Sequence, residues 1–308
     1  SPYTHIPYRC LLPIGVTNLI MAGRCISCER EVLGPVRVMG PCLAMGEAAS
    51  QRVVVLGAGR VATHLVPALV HAGYDVAQVW SRTELSAHIL AEPLGIPYTD
   101  DLSAIVPDAD VYIACVADGA LPGVAKEIVA HVKCPSHTVL FLHTAGSVSV
   151  DVWREAGAIS YGILYPLQTF SKERSVDMRE VSLFVEASDE ASLTAVEALA
   201  YGLSAKVYRA DSRRRALLHV AAVFACNFTN AMYDAAHQLL ATDDIPFDVL
   251  LPLIDETAAK VHALTPREAQ TGPAVRGDVA VMQSHIDSLD NNPDLQSLYA
   301  QISKMIMN

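Results

Sequence analysis

The six residues Gly57-Ala58-Gly59-Arg60-Val61-Ala62 carry small side chains at the spacing G-x-G-x-x-A. Gly57 permits a tight turn, Gly59 lets the backbone approach a bulky anion, and Ala62 lets a helix pack closely on a strand. A helix starting there offers its free amides and the positive end of its dipole to phosphate, so the spacing implies dinucleotide binding. Further on stands Ser81-Arg82-Thr83, where a domain reading an unphosphorylated ribose carries Asp or Glu. A guanidinium between two hydroxyls suits a 2′-phosphate, and no carboxylate is present to repel it. NADP(H) is therefore the expected cofactor; the plainer reading is a solvated turn with an incidental arginine.

The candidates for chemistry are polar residues at strand ends and on one apolar helix. His143 ends a strand before Thr144, Ala145 and Gly146. It could bond substrate or nicotinamide, donate a proton, or simply fix a turn. Val116 and Ala117 end another strand and join the cofactor set. Gln168, after Tyr165 and Pro166, could hold a carboxamide or carboxylate. His219 and Asn227 fall near one face of a helix by the three-to-four-residue rule, with Val223 and Asn230. His219 is the leading proton-donor candidate and Asn227 its neighbour; a satisfied core histidine is the alternative. Glu256, Arg267 and Gln270 are expected to line a substrate cleft, and Thr271, before Gly272-Pro273, to supply a hydroxyl donor. Asp118 reads as a helix cap. Cys25-x-x-Cys28 would need two further ligands to hold zinc, and Cys10 and Cys42 have no partner pairs of their own. No metal is expected.

Three blocks must position these residues. Residues 52–211 alternate short apolar runs, beginning with Arg52-Val-Val-Val-Leu56, with helical patterns, as βαβ units do. Strands are expected at 76–80, 111–116, 139–142, 162–165, 183–186 and 206–208, and Pro67 should kink or end the first helix. Residues 212–308 read as helices alone. Ser212 is the expected cap of a helix running to about Leu240, with Arg213–Arg215 as its solvated start and an apolar run from Ala216 to Cys226. Later helices are expected at 247–264, 274–289 and 295–307. The fold class is an α/β Rossmann domain, with a mostly parallel, doubly wound sheet over 52–211, followed by an all-α domain over 212–308. Residues 1–50, rich in Cys, Gly, Pro and Met, form a separate block.

Composition narrows the rest. At 308 residues with 52% hydrophobic and 18% charged content, the chain can bury large cores and is not disordered. A net charge of −11 works against nucleic-acid backbones. The run 216–226 is short for a membrane span, and no basic-then-apolar leader opens the chain. A cytoplasmic protein is expected. The apolar helix implies a homodimer through the helical domain.

From about Arg52 onward the chain resembles a bacterial family of Rossmann-like NADP oxidoreductases with a helical C-terminal domain of unknown function, related to pyrroline-5-carboxylate reductase. The resemblance rests on Gly57–Ala62, Trp80-Ser-Arg-Thr83, His143-Thr-Ala-Gly-Ser147, Tyr165-Pro-Leu-Gln-Thr-Phe170, His219–Asn230, Leu253-Ile-Asp-Glu-Thr257 and Pro266-Arg-Glu-Ala-Gln-Thr-Gly-Pro273. It implies an NADP-binding fold and a dimer, and names no substrate. Residues 1–50 are similar to the C-terminal part of FAD-dependent oxidoreductases, through Tyr8–Pro13, Ala22–Ser27 and Val36–Met39. The flavin fingerprint of such enzymes has no counterpart here, so the block reads as a fragment and FAD is not expected. The function implied is hydride transfer to or from a small C=N or C=O compound bound between the two domains. The alternative is a non-catalytic NADP-binding or sensing protein, since no Lys or Tyr stands out as suited to proton transfer.

Overall fold

The computed structural model describes residues 51–132 and 138–308. The Cys25–Cys28 pair and the flavoprotein-like block lie outside the described residues.

The chain divides after Val223 into two compact units. The first is built on an eight-stranded sheet: β1 (Arg52–Leu56), β2 (Asp75–Trp80), β3 (Tyr98–Thr99), β4 (Val111–Ala114), β5 (Leu140–His143), β6 (Ser160–Leu167), β7 (Ser182–Ala187) and β8 (Val207–Arg209). Their order across the sheet is β3-β2-β1-β4-β5-β6-β7-β8. Every pairing is parallel except β6 with β7. Strand order reverses between β1 and β4, which makes the carboxyl end of those two strands the topological switch point where such sheets bind ligands.

The apolar run of β1 is continuous because both its faces are buried. Val53 and Val55 join a core with Leu65, Val66 and Leu69 of α1 (Arg60–Ala72). Val54 and Leu56 join a second core with Tyr112 and with Leu121, Val124 and Ile128 of α3 (Leu121–His131). Helices α2 (Glu84–Ala91), α4 (Asp151–Glu155) and α5 (Glu190–Leu203) complete the two covering layers. Pro67 does not end α1, which runs on to Ala72. Its ring lies on the exposed side, where water can take the Thr63 carbonyl that loses its amide partner.

The long helix begins as expected but is held differently. Asp211, not Ser212, caps α6 (Ser212–Ala222), accepting from the Arg214 amide at 2.7 Å. Arg215 is not part of a solvated start: it is 1% exposed. It donates to Glu186 Oε2 on β7 at 2.5 Å and to the Val148 carbonyl at 2.5 Å. These bonds tie α6 to the sheet, so the first turns of the helix belong to the sheet unit and not to the helical one. A six-residue π-helical segment, Val223–Phe228, follows. The helical run Ser212–Ala241 has the length and hydropathy of a membrane span, with none of its most apolar window buried within the chain. This differs from the expectation drawn on 216–226 alone, because the flanking helical turns add length without adding many charges.

The second unit is helical: α7 (Thr229–Ala241), α8 (Leu251–Lys260), α9 (Pro266–Ala269), α10 (Pro273–Arg276), α11 (Val279–Asp287) and α12 (Pro293–Met307). The helix expected over 274–289 is broken at Gly277, which adopts φ +67° as the C-cap of α10. Asp278 then caps α11.

Candidate functional site

The switch point is shaped for a phosphate. Gly57 has φ +120°, and a Cβ there would lie 2.4 Å from the Cys115 carbonyl oxygen, so only glycine fits. Its amide donates to the Trp80 carbonyl at 2.6 Å, tying the turn to β2. Gly59 is the extended N-cap of α1 and supplies no side chain; no acidic residue stands in the first turn. The first amides of a thirteen-residue helix are thus left for an anion. Arg60 and Arg82 are exposed, and neither is engaged in an ion pair among the described residues. Ser81 is buried at the end of β2, and the Thr83 hydroxyl donates to Ser86 Oγ at 2.8 Å. Val116 and Ala117 follow β4 at the same sheet end, beyond Cys115. Burial pushes the Cys115 thiol up to about 12, so it is inert there. Free amides, a glycine-only turn and two unpaired guanidinium groups match what a phosphorylated dinucleotide needs, and the residues present fit NADP(H).

A second cluster forms where β5, β6 and α6 meet. His143 is fully buried, its ring stacked on Trp153 at 6.4 Å between centroids. Nδ1 accepts from the Ala145 amide at 3.1 Å, and Nε2 has no well-formed hydrogen bond among the described residues. Burial, and then the Arg215 charge, push its pKa down to about 3, against a weaker opposing pull from the Ser149 backbone. At neutral pH the ring is therefore neutral and holds a single proton. The bond from the Ala145 amide ties the ring to the turn that runs through Thr144–Ser147.

Beside that turn lies a pair that bears a proton. Tyr165 Oη and His219 Nδ1 are 3.2 Å apart, and their rings meet edge to face at 6.3 Å. Tyr165 is buried on β6, whereas His219 on α6 is partly exposed. Burial raises the Tyr165 pKa, the Arg215 charge opposes the rise and Asp118 adds to it, so the phenol keeps its proton. Asp118 caps no helix with its side chain; it accepts from Ser147 Oγ. The sequence reading placed Tyr165 at a strand end but gave it no part in proton transfer. What brings it forward is its strand register opposite the first turns of α6, which no spacing along the chain reveals.

The remaining candidates divide between the two units. Gln168 is exposed just past β6, its Oε1 taken by the Thr169 amide at 2.8 Å. In the helical unit Asn227 is exposed in the π-helical segment, and Glu256 faces Lys260 on α8 at 3.9 Å. Gln270 donates to the Thr271 carbonyl at 3.1 Å. Thr271 borders an apolar cavity of about 260 Å³ within that unit, with Met232, Leu239, Tyr299 and Ile302. Among the described residues no cluster of His, Cys, Asp and Glu could hold a metal ion.

Family models match three parts of the chain: "NADP oxidoreductase coenzyme F420-dependent" over residues 52–139, a "domain of unknown function (DUF2520)" over 181–306, and "FAD dependent oxidoreductase" over 1–71. Among solved structures, a "putative NADP oxidoreductase" from Bacteroides fragilis is 45% identical, covering 84% of this chain and 99% of its own, with a TM-score of 0.79. The chain belongs to this NADP oxidoreductase family. NADP(H) is accordingly its cofactor, and the FAD-type match is confined to a short N-terminal piece. A protein from Thermotoga maritima shares the fold at 21% identity over 82% of this chain and 97% of its own, with a TM-score of 0.68. So does an imine reductase from Myxococcus stipitatus in complex with NADP+, at 16% identity over 83% and 91%, with a TM-score of 0.57. No curated protein matches the chain.

Proposed function

We propose that this oxidoreductase transfers hydride between NADP(H) and a small C=N or C=O compound bound beside Tyr165 and His219. The observation that carries the reading is the 3.2 Å contact between Tyr165 Oη and His219 Nδ1, in the same unit as the dinucleotide cradle. NADP(H), when bound, supplies or accepts the hydride. The chain's residues do the rest. The amides of α1 and the Arg82 guanidinium bind and orient the phosphates, and Gly57 keeps the turn low enough for them to do so. His219, partly exposed, presents a ring nitrogen that can give a proton to the nitrogen or oxygen of the reduced bond. His143, neutral and buried, holds the backbone beneath them.

The alternative, a non-catalytic NADP-binding protein, rested on the lack of a Lys or Tyr suited to proton transfer; the Tyr165–His219 contact favours the catalytic reading. The imine reductase of the same fold puts imines first among compounds to try, with 2-oxo acids as the C=O arm. We also propose that the protein works as a homodimer. Leu217 and Val220 of α6 are exposed at 66% and 52%, and Phe224 and Phe228 of the π-helical segment at 59% and 49%. A second copy covering such side chains would remove a large apolar area from water.

The test is NADPH consumption with such a panel. Substrate-dependent loss of NADPH is expected, and His219→Ala should lower kcat by roughly 10²- to 10⁴-fold, the usual weight of a general acid. Full activity in His219→Ala would overturn the assignment of the proton donor.

A further inference from the structure

We propose that Gly146 and Tyr165 set the tautomer of His219. Gly146 leaves the imidazole room to seat against the Tyr165 ring, and the Tyr165 hydroxyl donates to Nδ1, which places the ring proton on Nε2.

Space carries the first half. A Cβ on Gly146 would lie 2.7 Å from His219 Nδ1 and 2.8 Å and 2.9 Å from two atoms of the Tyr165 ring. Gly146 is not among the glycines at positive φ, so its backbone does not require glycine. The requirement comes from the two side chains that meet over it. Tyr165 is buried on a central strand and cannot retreat, so any side chain at 146 displaces His219.

Hydrogen-bond chemistry carries the second half. The phenol has one hydrogen, and the partner of Oη among the described residues is His219 Nδ1. The charged groups acting on Tyr165 are Arg215, one turn earlier on α6 and engaged with Glu186, and Asp118, held by Ser147. With burial they leave the phenol protonated, so Tyr165 donates and Nδ1 accepts. A neutral imidazole that accepts at one nitrogen carries its hydrogen on the other. Nε2 makes no bond among the described residues, and its N–H is available to a substrate.

The consequence for reduction rests on the hydride-transfer reading above. As the hydride pair forms the new C–H bond, the Nε2–H bond breaks and its proton forms N–H or O–H on the product. The Tyr165 proton passes to Nδ1 in the same event, so no imidazolate forms. After product leaves, a solvent proton returns to Nε2 and Nδ1 gives its proton back to the Tyr165 phenolate, which restores the starting tautomer. Tyr165 and Gly146 are positioning residues in this scheme, since neither needs to touch substrate.

Imidazole nitrogen NMR on the full chain without cofactor tests the tautomer directly, with His219→Gln identifying the signals. Wild type should show a hydrogen-free Nδ1 and a protonated Nε2 for His219. Tyr165→Phe should lose that bias, and so should Gly146→Ala, with Tm and NADPH affinity close to wild type in the phenylalanine variant. A wild-type proton on Nδ1 would overturn the proposal, as would an unchanged tautomer in Tyr165→Phe. Should Gly146→Ala fail to fold, the Tyr165→Phe spectrum decides. The readout needs no substrate, so a chain that turns nothing over but holds the Nε2–H tautomer contradicts the hydride-transfer reading and leaves this one standing.

Discussion

At the scale of single residues, the account depends on which charges are free and which groups are neutral. Arg82, just past the end of β2, is exposed and has no ion-pair partner among the described residues. A charge-assisted hydrogen bond to a 2′-phosphate contributes roughly 1.5–3 kcal/mol, or about ten- to a hundredfold in affinity. Arg82→Ala should therefore weaken NADPH by that factor and leave NADH nearly unaffected. Calorimetric titration with both cofactors checks this, and equal weakening would make Arg82 structural. His143 gives a pH signature. Its folded pKa of about 3 lies below the value of about 6.5 expected for the unfolded chain. Above that higher value neither state binds the proton. Below it the unfolded state alone does, so stability falls as pH drops from about 6.5 towards 3, by on the order of 5 kcal/mol in all. His143→Gln should flatten that slope in urea titrations at stepped pH, and parallel curves for the two proteins would refute the neutral-histidine reading. The cradle residues Gly57–Ala62 were legible in the sequence because backbone constraints are local and leave a local pattern. Tyr165 was not, because its partner lies 54 residues away and meets it only through tertiary packing.

At the scale of elements, the tie between α6 and the sheet matters most. Arg215 is 1% exposed, and its carboxylate partner Glu186 sits on β7, with the Ser212 hydroxyl donating to the same Oε2 at 2.8 Å. Removing one partner of such a pair strands a buried charge, which costs about 3–5 kcal/mol. Glu186→Ala should lose stability on that scale in urea unfolding and lower turnover too, since α6 carries His219. Glu180→Ala, which breaks an exposed pair with Lys206, should change little. A Glu186→Ala protein as stable as the Glu180→Ala one would show that the tie contributes nothing. The inner strands β1, β4 and β5 could be read to within two residues at each end, because each is a short apolar run buried on both faces; β3, two residues long with neither residue buried, was not read as a strand. The start of α6 could not. Three consecutive arginines look solvated in sequence, and only the fold decides that the third turns inward.

At the scale of the whole molecule, the exposed apolar residues Leu217, Val220, Phe224 and Phe228 predict a dimer. Light scattering at micromolar concentration should give twice the 33.0 kDa chain mass, and Leu217→Glu should shift the mass towards the monomer. A wild type that is strictly monomeric would leave those residues unexplained. We propose that one chain holds NADP(H) at the switch point and passes its hydride to a C=N or C=O carbon beside His219. The most direct measurement follows the hydride itself. NADPH carrying deuterium at the transferable position of its nicotinamide is incubated with imines and 2-oxo acids, and the products are weighed by mass spectrometry. The account predicts one deuterium on the former C=N or C=O carbon, with the yield collapsing in His219→Ala. Tight NADPH binding with no deuterium transferred to any member of the panel would contradict it.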